Sequence, residues 1–230
     1  MISKLGAILL FAIVNMHTVH AAKIDLKNSG VTINYLDSFD EKQSVVIKRM
    51  HDKTCKKVDG TNPNVIWGGD YANKSVNNNC KKTFVTTVGK VSPMIIAKGI
   101  DTYGELEVID FIKKATKDEN LMLIDARLSN WYEKGTIPSS TNISYKRFDK
   151  KKYPTEFEDT LETVGVEIVD GKYSFNEAKT LLLFCNGIWC PQSTWAIENL
   201  LKIGYPKDKL KWYRGGMYSW KMLNLTTVKP

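Results

Sequence analysis

The sequence predicts an α/β sandwich with a mainly parallel central sheet, preceded by a small strand-and-loop extension. Two apolar runs, 121–124 and 181–184, show no alternation, which is typical of strands buried on both faces of a sheet. Helical patterns alternate with these runs from residue 103 to the end, as in parallel α/β domains. Of the 230 residues, 43% are hydrophobic and 10% aromatic, so the composition is globular and allows one large domain.

The first 21 residues have the pattern of a secretory signal peptide. Lys4 precedes an apolar run at 5–14, and Val19-His20-Ala21 provides the small residues of a cleavage site. We therefore expect a periplasmic or secreted protein, attached to a membrane only if the signal stays uncleaved. The predicted organisation is a signal peptide at 1–21, an extension at 22–100 and the α/β domain at 101–230.

The extension carries strand-like, β-branched runs and two cysteines. Runs at 31–35, 44–47 and 83–88 predict strands, with turn-rich sequence between them. Export would place the cysteines in an oxidising compartment, where disulfides persist. Proximity in sequence favours a Cys55–Cys80 disulfide and leaves Cys185 with Cys190. The other pairings, and four free thiols, remain open.

The elements of the second part follow in order from their periodicity and turn signals. A capping-box pattern at Thr102–Glu105 predicts the first helix, and Gly204 is a stop signal for a later one. The predicted elements are helix 103–115, strand 121–124, a turn at 135–138, a short strand at 141–144, helix 157–164, strand 180–184, helix 194–203, strand 210–213 and a final helix or turn from 217. Trp195, Trp212 and Trp220 are predicted core residues.

Cys185 stands where the strand 180–184 ends and a loop with Gly187 and Pro191 begins. Ser193 then precedes a helical pattern, so the loop leads into a helix N-terminus. Ligands of open α/β sheets bind at the carboxyl ends of strands, and a helix N-terminus favours an anion. A thiolate or a persulfide is such an anion, which makes Cys185 the candidate nucleophile.

Three separated segments together resemble the rhodanese domain. Leu123-Ile124-Asp125-Ala126-Arg127 is similar to the family's strand that ends in Asp-x-Arg. Residues 135–138 with Asn142-Ile143 are similar to its Gly-His-Ile-Pro segment. The third segment runs from 182–185 through 200–205 to Gly215-Gly216-Met217-Tyr218-Ser219-Trp220, like the active loop, its helix and the closing glycine pair. The resemblance implies a rhodanese-like three-layer sandwich and does not reach the extension.

The resemblance also implies a sulfurtransferase without a cofactor. Cys185 would take sulfane sulfur from a small sulfur-containing anion such as thiosulfate and pass it to cyanide, a thiol or a protein acceptor. Asp125 and Arg127 would support the loop. The residues expected to bind substrate are Asn186, Gly187, Ile188, Trp189, Gln192 and Ser193. His51 is the single histidine of the mature chain, which argues against a histidine metal site or a Ser-His-Asp triad.

The loop also departs from the family pattern. No Arg or Lys lies between Cys185 and Ser193, and Thr136 replaces the histidine of the Gly-His-Ile-Pro segment. A second cysteine, Cys190, is a candidate resolving thiol. Two alternatives therefore stay open: a thiol–disulfide redox protein that uses Cys185 and Cys190, and a non-catalytic binding module.

The formal charge of +8 gives no support for nucleic-acid binding. The lysines are scattered along the chain, and no basic stripe with interleaved aromatic residues is present. A positive field would raise the local concentration of small anions. The charge is therefore compatible with an anionic sulfur donor.

Overall fold

The computed structural model describes residues 29–37, 39–49, 77 and 90–230. The predicted signal peptide, the strand at 83–88, Cys55 and Cys80 lie outside the described residues. The leader, the Cys55–Cys80 disulfide and the segment boundaries therefore stay predictions. Among the described residues, no helix combines the length and apolar character needed to cross a bilayer.

A five-stranded parallel sheet forms the centre of the described part of the chain. Its order is β3-β9-β8-β4-β5, and every neighbouring pair is parallel. The strands, including two antiparallel hairpins outside this sheet, are β1 (Val31–Leu36), β2 (Lys42–Ile47), β3 (Asp101–Tyr103), β4 (Leu121–Asp125), β5 (Thr141–Asn142), β6 (Glu167–Val169), β7 (Lys172–Ser174), β8 (Thr180–Phe184) and β9 (Leu210–Tyr213). The predicted fold class is confirmed.

Helices cover both faces of the sheet. They are α1 (Glu105–Ala115), α2 (Ser129–Tyr132), α3 (Pro154–Thr163), α4 (Gln192–Lys202) and α5 (Gly216–Met222), with short 3-10 helices at Tyr145–Phe148 and Lys207–Lys209. Side chains of α3 and α4 pack on one face, and those of α1 and α5 pack on the other. The sheet is thus the middle of three layers.

The central strand β8 explains why the sequence shows an unbroken apolar run. Leu181 and Leu183 belong to the core cluster that contains α3 and α4, whereas Leu182 and Phe184 belong to the cluster on the opposite face. All four side chains are fully buried. Because successive residues of a strand point to opposite faces, both faces demand apolar residues and alternation disappears.

The β1–β2 hairpin joins the core on the α1 face. Ile33 and Ile47, both buried, pack in the same cluster as Val108 and Ile109 of α1. Thr226 ties the end of the hairpin to the chain after α5, because its amide donates to the carbonyl of Lys48 and its hydroxyl accepts from the amide of Lys48, each at 3.1 Å. The described part of the extension therefore shares the core of the α/β domain.

Several element boundaries differ from the predicted ones. The first helix begins at Glu105 rather than 103, because Asp101–Tyr103 pairs with β9 and the capping contact joins the Gly104 amide to Glu107. The hairpin β6–β7 was not predicted. Trp212 and Trp220 are buried as expected, but the expectation for Trp195 is wrong: it is 45% exposed and stacks at an angle on Tyr145, 5.4 Å between ring centres.

Candidate functional site

Cys185 follows the last residue of β8, at the carboxyl edge of the sheet. In register, Phe184 lies beside Asp125 at the end of β4, and the carbonyl of Phe184 accepts a 3.0 Å hydrogen bond from Ala126. Cys185 is only 2% exposed. The strand end predicted from the apolar run is therefore where the structure places this cysteine.

Cys185 and Cys190 form a disulfide. Their Cα atoms are 6.3 Å apart, and the six residues 185–190 close a small ring. A turn within this ring is held by a 2.9 Å hydrogen bond from the Cys190 amide to the Gly187 carbonyl. Cys190 is 7% exposed. In this oxidised form neither sulfur is a thiolate, so neither is nucleophilic.

The start of α5 anchors the beginning of the loop. The Met217 amide donates to the Cys185 carbonyl at 2.9 Å, and the Tyr218 amide donates to the Asn186 carbonyl at 2.8 Å. Gly216 allows this approach, since a Cβ at its position would overlap the Cys185 carbonyl oxygen and lie 2.8 Å from the Gly187 nitrogen. Gly216, the first residue of α5, is thus a packing requirement of the cysteine loop.

A strap from residues before the sheet, Val91–Pro93, anchors the middle of the loop. The Ser92 amide donates to the Ile188 carbonyl at 2.7 Å. Arg214 holds the strap in turn, because its guanidinium donates to the carbonyls of Ser92 and Pro93 at 2.8 to 3.2 Å. On the other side, the Trp189 ring packs edge-on against Tyr218 with 5.0 Å between centres. The loop is therefore fixed from two sides.

Asp125 and Arg127 form a buried ion pair beside the loop. Asp125 is 0% and Arg127 2% exposed, and Nη2 lies 2.6 Å from Oδ2. The guanidinium also donates to the Gly135 carbonyl at 2.8 Å and to Oδ1 of Asn186 at 3.4 Å. Thr136 donates to Asp125 Oδ2 at 2.7 Å. The pair thereby connects two loops to the residue that follows Cys185.

Gln192 and Ser193 lie in the first turn of α4 rather than before it. The helix begins at Gln192 with Pro191 as its N-cap residue, and no side chain caps it. Oε1 of Gln192 is buried and has no hydrogen-bond partner among the described residues. The Ser193 hydroxyl accepts a 3.1 Å hydrogen bond from Nε1 of Trp212. Ser193 is buried, and its role in substrate binding stays a prediction.

Replacing Ser193 by alanine should lower the free energy of unfolding by about 1–3 kcal/mol, because the buried indole N–H of Trp212 would lose its acceptor. Urea denaturation measures the change. Thr163→Ala is the matched control, since it removes an exposed hydroxyl that bonds within α3, and it should change stability by less than about 0.5 kcal/mol. Equal losses in the two variants would contradict the role assigned to the Trp212 contact.

A comparison with models of protein families identifies the family of this chain. A family model described as the rhodanese-like domain matches residues 109–223. The chain belongs to the rhodanese-like domain family. The crystal structure of the BH2092 protein from Bacillus halodurans is 19% identical and has a TM-score of 0.41, with 56% of this chain and 76% of that chain covered. At that level the likeness adds nothing to the family assignment. No curated protein matches the chain.

Sequence reasoning missed the contacts that hold the loop of this rhodanese-like domain. The strap at Val91–Pro93 and Arg214 carried no recognised motif, because their contacts are backbone carbonyls and amides far apart in sequence. The glycine pair was recognised as part of the family pattern. The close approach of Gly216 to the Cys185 carbonyl could not be predicted, because it depends on how α5 packs in the fold.

The cations near the loop lie beside it and not within it. Arg127 reaches Asn186, as described above. Partial burial, together with the positive charge of Arg127, lowers the pKa of Lys221 on α5. The loop sequence itself has no Arg or Lys, and the charge of Arg127 beside Asn186 is balanced by Asp125.

A cavity of about 820 Å³ lies away from the cysteines, at the amino-terminal end of β4. It is lined by the β1–β2 hairpin, the end of α1 and the first residues of β4, and includes no residue of the 185–191 loop. Its size is therefore no guide to the position of the candidate active site.

Proposed function

We propose that this rhodanese-like domain transfers sulfane sulfur through a persulfide on Cys185. The observation that carries the proposal is the position of Cys185, which follows the central strand and begins a loop anchored by the amides of Met217 and Tyr218. The donor is a small sulfur-containing anion or persulfide, and the acceptor is a thiol or cyanide. The predicted export would place this reaction in the periplasm or outside the cell.

The chemistry requires the reduced loop. The Cys185 thiolate attacks the outer sulfur of thiosulfate, a new sulfur–sulfur bond forms, and sulfite leaves with the electron pair of the broken bond. An acceptor thiolate then attacks the outer sulfur of the persulfide and regenerates the Cys185 thiolate. The disulfide form is therefore the inactive, oxidised state, and access to the 2% exposed Cys185 requires the loop to open after reduction.

Local backbone dipoles favour the anionic sulfur. The Trp195 amide donates to the Pro191 carbonyl as α4 begins, and the amides before it in the first turn have no helical carbonyl to bind. We infer that these amides and the positive end of the helix stabilise the anionic sulfur once the disulfide has opened. The same groups would attract an anionic donor.

The disulfide supports a second candidate function, thiol–disulfide exchange with an external dithiol. In that case Cys185 and Cys190 would shuttle electrons and carry no sulfur. The two functions differ in one product, since only sulfur transfer leaves the chain one sulfur atom heavier. The binding-module alternative predicts neither reaction.

The test is intact-mass analysis of reduced protein after treatment with thiosulfate, or with an alkyl persulfide, without oxygen. Cys190→Ser, which lacks the second thiol and therefore keeps the persulfide, should gain one sulfur, and cyanide should then yield thiocyanate. Cys185→Ser should gain none and lose thiocyanate formation by at least about a thousandfold. Thr163→Ala should behave as wild type. The proposal would be refuted if Cys185→Ser still acquired sulfur, or if Cys190→Ser acquired none from either donor.

A further inference from the structure

We infer that Cys190 is a resolving thiol, which turns the Cys185 persulfide into hydrosulfide and the Cys185–Cys190 disulfide. This inference rests on the proposed function and adds an activity to it, the two-electron reduction of sulfane sulfur. The observation behind it is the pairing of the two sulfurs within one six-residue ring. A transferase that only passes sulfur onward has no need of a second thiol in contact with the first.

The backbone places Cys190 against Cys185 in a defined way. The hydrogen bond from the Cys190 amide to Gly187 folds the loop back, and the Cys190 carbonyl lies 3.3 Å from Sγ of Cys185. Anchors at Cys185, Asn186 and Ile188 hold the preceding residues from two sides. None of these anchors is a bond of Cys190 to another element, so they can persist while the disulfide opens and closes.

The step balances within the chain. The Cys190 thiolate attacks Sγ of Cys185, which is the inner sulfur of the protonated persulfide. The Cys185–Cys190 bond forms, the bond to the outer sulfur breaks, and that sulfur leaves as hydrosulfide with the electron pair and the proton. The sulfane sulfur is thereby reduced by two electrons, and the two cysteine thiols are oxidised.

The Cys190 thiol should attack the persulfide faster than external acceptors do. Held beside the persulfide, Cys190 acts at an effective concentration far above that of a free thiol. Both cysteines are less than a tenth exposed, which slows attack by any external thiol relative to attack by Cys190, whose sulfur already contacts that of Cys185. The loop also has no Arg or Lys to retain an anionic outer sulfur. Release of hydrosulfide is therefore the faster fate of the persulfide.

Continued turnover then requires a dithiol reductant as the partner. The disulfide must be reopened before Cys185 can attack another donor molecule, and a dithiol can do so by exchange and resolve its own mixed disulfide. The partner class is thus a protein with two redox-active cysteines. Its attack falls more easily on Cys190, which at 7% is the more exposed of the two sulfurs.

A single-turnover experiment tests the inference. The full chain is reduced, freed of reductant without oxygen, and mixed with an equimolar amount of thiosulfate or of an alkyl persulfide. Hydrosulfide, sulfite and the intact mass are measured over time. Wild type should release one hydrosulfide for each chain and finish as the disulfide, lighter by two hydrogens. A sample without donor must stay reduced, which controls for oxidation by air.

The variants separate this inference from the proposed function. Cys190→Ser should take up sulfur and hold it as a stable persulfide. Its release of hydrosulfide should fall by at least about a hundredfold, because the substitution removes the advantage of proximity. Wild type that retains the persulfide and releases no hydrosulfide would overturn the inference and leave the proposed function standing. A Cys190→Ser chain that is folded but takes no sulfur from either donor would overturn the proposed function itself.

Discussion

Replacing Arg127 by methionine should lower the free energy of unfolding by about 3–5 kcal/mol, as expected when one partner of a buried ion pair is removed. Asp125 is 0% exposed, and its carboxylate accepts hydrogen bonds from both Nε and Nη2 of Arg127. Methionine fills part of the space but leaves the carboxylate buried with only Thr136 and a backbone amide as donors. The Gly135 carbonyl and Asn186 would also lose a donor. Urea denaturation measures the loss.

Two further variants make this prediction specific. Arg147→Met removes an exposed pair with Asp159, whose charged atoms are 3.7 Å apart, and should cost no more than about 1 kcal/mol. The double variant Asp125→Leu/Arg127→Met removes both buried charges and should recover at least half of the single-variant loss, because no unpaired carboxylate remains. A loss below about 1 kcal/mol in Arg127→Met would contradict the importance given to the pair.

The parts of the fold that the sequence predicts well are those with a strong local signal. Strands β4 and β8 are covered by helices on both faces, and their continuous apolar runs follow directly from that burial. Strand β3 has only three residues and none of its side chains is fully buried, so its pairing with β9 had no visible pattern. The β6–β7 hairpin does carry a sequence signal that was overlooked, the dipeptide Asp170-Gly171. Both residues adopt positive φ, as an Asp-Gly hairpin turn requires.

In the candidate site, too, only the features with a local sequence signal could be predicted. The position of Cys185 follows from a strand, a turn and a helix in sequence order, and the structure places it at that strand end. The disulfide between Cys185 and Cys190 is the pairing that proximity in sequence favoured for these two cysteines. The strap on Ile188, and the contact of Trp212 with Ser193, join residues 19 to about a hundred positions apart. Only the packed sheet brings these groups together, and no local pattern in a single sequence encodes them.

Replacing Gly216 by alanine should lower the free energy of unfolding by about 3 kcal/mol and also impair sulfur loading of Cys185. The φ of Gly216 is +55°, a region that costs an alanine about 1–2 kcal/mol. The added Cβ would overlap the Cys185 carbonyl oxygen, so α5 or the loop must move. That shift weakens the bonds from Met217 and Tyr218, each contributing about 1 kcal/mol. Urea denaturation and the rate of persulfide formation measure the two effects.

Gly171→Ala separates conformational strain from the clash. Gly171 has a similar φ of +71°, but a Cβ there would meet nothing within 4 Å. Alanine at 171 should therefore cost only about 1 kcal/mol and leave sulfur loading unchanged. The remaining difference between the two variants, about 2 kcal/mol, belongs to the approach of α5 to the loop. Equal losses of stability would show that the approach contributes nothing, and the contact between Gly216 and the Cys185 carbonyl would then not explain how the loop is held.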